Sequence, residues 1–256
     1  MTETNEVLYE RRGPVAWLTL NRPGAHNALS ASVRGGLREG FIRFAQDDEA
    51  RVLVLTGAGE KAFSAGGDLK EMADTALGPP PADFIAHLNR NITVDKPVIA
   101  AVNGVALGGG FLLAQMCDLC IAAEHAKLGI TEARWGRGAP WAAPLAWMIP
   151  PRVALELLMT AAPITATRAY ELGLVNRVVP GESLQAAAQE LGEQIAANAP
   201  LSVRAGKAMV YATAEVGWTE GLEIGDRIWD PVYRSQDAQE GPRAFKEKRA
   251  PRWTAS

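Results

Sequence analysis

Apolar positions in the first half of the chain fall into short runs separated by glycine- and proline-bearing breaks. Runs at 7–11 and 14–20, the second carrying Val15, Trp17 and Leu20, predict two strands. Ser30 is a suitable N-cap for a helix reaching Gln46. Continuous apolar runs at 51–56, 97–102 and 118–123 predict buried strands. Helices are predicted at 109–116 and, behind the Gly78-Pro79-Pro80-Pro81 break, around 82–94. Repeated strand-then-helix units favour an α/β fold with a mostly parallel sheet covered by helices. From Ala142 the spacing turns mainly helical, with Leu155, Leu158 and Met159 on one face and Leu184, Ala188, Leu191 and Ile195 on another. A short strand at 173–179 interrupts. The expected organisation is a core over 1–195 and a helical region over 196–256 that suits contact between subunits.

Composition narrows the possible partners. Of 256 residues, 48% are hydrophobic and 21% charged, which is ordinary for a globular protein. A net charge of -3 without long basic runs argues against nucleic acid. The first dozen residues lack an apolar signal core, and the longest apolar region, 98–116, is broken by Asn103 and glycines. A cytoplasmic protein without a membrane partner is the expectation. Cys117 and Cys120 have a metal-like spacing, but a zinc site needs two more ligands and the three histidines are scattered. They read as buried, inert thiols, and no metal is expected.

The chemistry is carried by two glycine-rich stretches about forty residues apart, Ala62-Phe63-Ser64-Ala65-Gly66-Gly67-Asp68-Leu69-Lys70 and Asn103-Gly104-Val105-Ala106-Leu107-Gly108-Gly109-Gly110. Each follows a predicted buried strand. Glycine lets backbone approach a ligand closely, so two such turns can aim peptide N–H groups at one point. The second opens a helix, whose free amides and dipole add positive potential. That combination suits an oxygen that turns negative during a reaction. The glycines do not fit a phosphate loop or a dinucleotide fingerprint, and Ser64 lacks the preceding glycine of a nucleophile elbow.

Together with Asn21-Arg22-Pro23-Gly24-Ala25-His26-Asn27-Ala28-Leu29 and Gly129-Ile130-Thr131-Glu132, in this order, these segments resemble the crotonase family of enoyl-CoA hydratases and isomerases. The resemblance spans about residues 7–249. It implies a crotonase-like ββα spiral core, a C-terminal helical region, and a homotrimer or homohexamer. It implies a coenzyme A thioester as substrate, with no permanently bound cofactor. Its carbonyl oxygen would lie between the amides of Gly67 and Gly109. Asp68 reads as an organiser of the turn or a helix cap. The path of the nucleotide and pantetheine would run past His26, Ala28, Ala65, Leu69 and Lys70. Phe245 and Lys248 match a C-terminal motif that meets the adenine and phosphate end, in some relatives from a neighbouring subunit.

One departure matters more than any match. Hydratases of the family grip a water between two glutamates, the first two residues after the glycine triplet and the second twenty residues later. The second is Glu132; the position of the first holds Leu112. A leucine cannot hold or polarise water, whereas one carboxylate suffices to move a double bond. An isomerase-like proton transfer by Glu132 is therefore favoured. An apolar pocket would raise its pKa into a range useful for both base and acid work. Glu71, Asp74 and His87 are lesser candidates for a second group. Trp135, Trp141 and Trp147 follow Glu132, where the usual Pro-Gly element becomes Gly138-Ala139-Pro140-Trp141, and Trp135, Trp141 and Leu112 are expected against a bulky acyl group. Two readings stay open: a hydratase or hydratase-lyase on a bulky or aromatic enoyl-CoA, and a non-catalytic acyl-CoA binding protein.

Overall fold

The computed structural model describes residues 5–256. The hairpin β1 (Val7–Arg12) and β2 (Val15–Leu20) opens the chain, and α1 (Ala31–Gln46) follows, capped by Ser30 Oγ accepting from the Val33 amide. Next come β3 (Val52–Gly57), β4 (Ala62–Ser64), α2 (Leu69–Asp74), β5 (Val98–Val102), β6 (Val105–Leu107), α3 (Gly109–Gln115), β7 (Leu119–Ala123) and β8 (Lys127–Gly129). The remainder is α4 (Leu145–Met148), α5 (Pro151–Thr160), β9 (Ile164–Thr165), α6 (Ala166–Glu171), β10 (Arg177–Val179), α7 (Leu184–Ala196), α8 (Pro200–Thr213), α9 (Trp218–Tyr233) and α10 (Gln236–Glu247).

Two sheets result. The larger has the order β1-β2-β3-β5-β7-β10, antiparallel only at β1–β2. Its inner strands β3 and β5 are buried at every position, as strands covered on both faces must be. Trp17 and Leu18 show the two faces. Trp17 Nε1 donates to Gln189 on α7 at 2.8 Å, while Leu18 lies so close to Gly40 on α1 that a side chain there would collide with it. A single step along β2 thus turns from one covering helix to the other.

The smaller sheet, β4-β6-β8-β9, was not foreseen from sequence. Its strands are two or three residues long, below the length at which a period of two becomes legible. It decides the function, because β4, β6 and β8 lie side by side and parallel. Each follows a strand of the large sheet, which gives the chain its ββα spiral.

The helix expected around 82–94 does not form. Asn91 intervenes: its Oδ1 accepts from the His87 amide at 2.9 Å, and its Nδ2 donates to the carbonyls of Ala82 and Ile85, each at 2.9 Å. This side chain takes over groups that a helix would pair within its backbone. Asn89, at φ 62°, turns the chain again. The strand expected at 173–179 shrinks to Arg177–Val179, since Gly173 at φ 81° ends α6 and Asn176 Oδ1 is spent on the Cys120 amide.

Helix α8 is pinned to the core by a largely buried cluster. Lys207 Nζ meets Asp118 Oδ2 at 2.8 Å, and the Tyr211 hydroxyl donates to Asp118 Oδ1 at 2.9 Å. Cys117 and Cys120 are buried, unpaired thiols, both pushed up by burial, Cys120 to about 12. On α9 and α10, Trp218, Leu222, Tyr233 and Phe245 are exposed. No helix of the described residues is long and apolar enough to cross a membrane.

Candidate active site

The three short parallel strands each end in a functional loop. After β4 comes Ala65-Gly66-Gly67, after β6 Gly108-Gly109, and after β8 the segment that carries Glu132. The first two loops touch. Gly66 has φ 91°, and a Cβ there would lie 2.5 Å from the Leu107 carbonyl oxygen and 3.1 Å from the Gly109 nitrogen. A Cβ on Gly110 would lie 2.2 Å from the Ser64 carbonyl oxygen. Glycine is demanded at both positions by this close approach of backbone to backbone.

Neighbouring amides are committed. Ala65 N–H donates to the His26 carbonyl, Gly66 N–H to Ser64 Oγ, and Gly108 N–H to the Gly129 carbonyl. The amides of Gly67 and Gly109 have no such acceptor among the described residues. Gly109 is also the first residue of α3, where an N–H is left over by the helix itself. Two donors in adjoining loops thus remain available to a third party.

Asn27 underlies this arrangement and sequence reasoning missed its role. Fully buried at φ 54°, it accepts from the Arg22 amide at 2.9 Å and donates to the carbonyls of Ala62 at 2.8 Å and Ala58 at 3.1 Å. Its own carbonyl accepts from Ser64 Oγ at 2.8 Å. The amide side chain in a left-handed turn is the sequence signal that could have revealed it.

Asp68 caps α2: its Oδ1 accepts from the amides of Lys70 and Glu71, and Arg22 Nη1 donates to Oδ2 at 2.6 Å. The Arg22 guanidinium holds this carboxyl below its usual range. Glu71 is not free for chemistry, because Arg34 meets it at 2.7 Å and the Ala31 amide donates to its other oxygen.

Glu132 stands against the second loop. A Cβ on Gly108 would lie 3.1 Å from Glu132 Oε1, so the carboxyl adjoins the turn whose next residue offers its amide. Oε2 is buried without a hydrogen-bond partner among the described residues. Burial raises the Glu132 pKa above its ordinary value, while nearby backbone and the Trp141 indole pull weakly the other way. A half-buried carboxyl with one oxygen left without a partner, and with its pKa raised by burial, is suited to proton transfer rather than to a structural role.

These groups open into a cavity of about 520 Å³. Its lining includes Ala65, Gly67, Gly109 and Glu132, together with Leu69, Leu112, Trp135 and Trp141 from the sequence reading. Trp141 rests against Phe111 with ring centroids 6.1 Å apart, which fixes one wall. Leu112 is buried and keeps that side of the cavity apolar. His26, Ala28, Asp68, Lys70, Phe245 and Lys248 do not line it, nor does the exposed Trp147. Phe245 is 88% exposed. His87 does line the cavity; burial and then the nearby Arg90 push its imidazole pKa down.

Arg137 gave no sequence signal. Its guanidinium donates to the carbonyls of Leu77 at 2.7 Å and Gly78 at 3.2 Å, while its amide donates to the Glu132 carbonyl at 3.0 Å. It thereby ties the Pro79-Pro80-Pro81 wall to the Glu132 segment.

A family sequence profile described as enoyl-CoA hydratase/isomerase matches residues 10–256. The chain belongs to this family. Carnitinyl-CoA dehydratase from Salmonella typhi is 42% identical over 253 residues, covering 95% of this chain and 96% of that protein. Among solved structures, an enoyl-CoA hydratase from Mycobacterium tuberculosis H37Rv superposes with a TM-score of 0.89 at 37% identity, covering 98% of this chain and all of the other. An enoyl-CoA hydratase/isomerase from Mycobacterium paratuberculosis gives 0.89 at 32% identity, covering 98% and 99%. The chain therefore has the crotonase fold, and it is an enzyme of the enoyl-CoA hydratase/isomerase family, whose members act on CoA thioesters.

Proposed function

We propose that this enzyme moves the double bond of an enoyl-CoA ester by a proton transfer that uses Glu132 alone. The thioester oxygen accepts from the Gly67 and Gly109 amides, so that removing a proton beside the carbonyl yields a stabilised enolate. Glu132 takes the proton and returns it two carbons along the conjugated system, which leaves atoms and charge balanced. The observation that carries this reading is the Glu132 carboxyl beside the Gly108 turn, its Oε2 buried and without a hydrogen-bond partner among the described residues, with apolar Leu112 where a water-gripping acid would be needed. Conversion of 3-enoyl-CoA to 2-enoyl-CoA by the purified protein is the expected result. Binding without any proton exchange at the carbon beside the carbonyl would instead favour an acyl-CoA binding protein.

The dehydratase name of a 42% identical relative supports a second reading, water addition or removal with Glu132 as the only acid. Leu112→Glu separates the two. If Glu132 lacks only its partner, the variant should raise hydration of crotonyl-CoA by about tenfold or more, within the range a positioned acid–base group supplies. A wild-type hydration rate above its isomerisation rate would replace the first reading with the second.

Phe245 and Lys248 fit a CoA contact only across a subunit boundary, and Trp218, Leu222 and Tyr233 offer apolar area for one. A homotrimer or homohexamer follows, and a monomeric mass by light scattering would contradict it. The path past His26, Ala28 and Lys70 belongs to the same proposal.

A further inference from the structure

The charge of the cavity lining distinguishes one acyl class from another. Among the described residues Glu132 is the only carboxylate along it, whereas Arg90 and Arg137 both belong to its lining. Asp68 is engaged by Arg22 and Glu71 by Arg34, and Asp74 and Asp83, though near in the chain, do not line the cavity. Arg137 spends two donors on the Leu77 and Gly78 carbonyls, which leaves three of the five N–H groups of a guanidinium. Arg90, exposed at the edge of the cavity, makes no side-chain hydrogen bond or ion pair among the described residues. Its charge is felt at His87, whose pKa it lowers after burial has done so. The Asn91 side chain is spent within its own loop and neutralises nothing.

Two arginines without acidic partners, facing one largely apolar cavity, make a receptor for a planar anion. We propose that the acyl group this enzyme prefers carries a carboxylate at its far end, met by Arg90 with Arg137 behind it. A quaternary ammonium in that place, such as a carnitinyl group bears, would face two guanidinium charges with Glu132 as the one carboxyl lining the cavity among the described residues. The preference would then differ from that named for the 42% identical relatives. This inference rests on the thioester site described above, and it deepens that reading by giving the substrate its charge.

Saturated esters test it, since they bind without reacting and remain informative if the proton-transfer chemistry is otherwise. By calorimetry, glutaryl-CoA should bind about tenfold or more tighter than pentanoyl-CoA, the effect of one good charge-assisted contact. A trimethylammonium-butyryl-CoA should bind more weakly than either. Arg90→Gln should bring glutaryl-CoA close to pentanoyl-CoA, and Arg90→Lys should restore part of the difference. Equal affinities in the unaltered enzyme would overturn the proposal. So would an Arg90→Gln variant that weakens both esters by the same factor, because the arginine would then be serving the phosphates that all CoA esters share. Loss of proton exchange with the glutaryl preference intact would sink the catalytic reading and leave this one standing.

Discussion

Glu132→Gln is expected to reduce isomerisation of a 3-enoyl-CoA ester by about 10²–10⁴-fold, the usual contribution of a positioned acid–base group. The amide is nearly isosteric with the carboxyl, so the cavity keeps its shape and ester affinity should change little. Single-turnover kinetics with parallel calorimetry separates these effects. A variant with unchanged turnover would remove Glu132 from the mechanism. The pH dependence has a definite sign. Proton abstraction needs the carboxylate, and burial raises the pKa of this group. Activity should therefore climb with pH through an apparent pKa above 4.5, the ordinary value of a glutamate, and that limb should vanish in the glutamine variant.

Gly109→Pro should be almost as damaging, for a different reason. Position 109 is the first residue of α3, where proline is tolerated because no intrahelical acceptor awaits its N–H. The substitution deletes that donor. A nearby Leu29 methyl, 2.9 Å from the added Cβ, is the end of a flexible side chain and can shift. Removing one oxyanion donor costs about 10²–10³ in kcat. A folded variant, judged by its melting profile, that keeps normal turnover would show that the Gly109 amide does not meet the developing charge.

How far the sequence foretold this arrangement depends on the kind of signal each part carries. The long apolar runs and the Ser30 cap predicted α1 and every strand of the large sheet except β10 to within a residue or two, because buried parallel strands and capped helices leave periodic marks. Gly67, Gly109 and Glu132 were placed by ordered motifs, and the cavity brings all three together. The small sheet escaped because three residues are too few for a period. Yet its three parallel strands are what carry those motifs into one place. Around 82–94, Phe84, Ile85 and Leu88 mimic a helical stripe; the Asn91 side chain outcompetes the helix backbone there, which spacing alone does not show. Arg137 was illegible for a similar reason, since its partners lie about sixty residues earlier in the chain.

A crystal structure of the enzyme with a slowly reacting enoyl-CoA ester tests the central claim most directly. The account predicts the thioester oxygen about 2.7–3.1 Å from both the Gly67 and Gly109 nitrogens, the distance range of an oxyanion hole, with a Glu132 oxygen facing the carbon beside the carbonyl. An ester whose oxygen turns to solvent or to a side chain, leaving those two amides without it, would contradict the account.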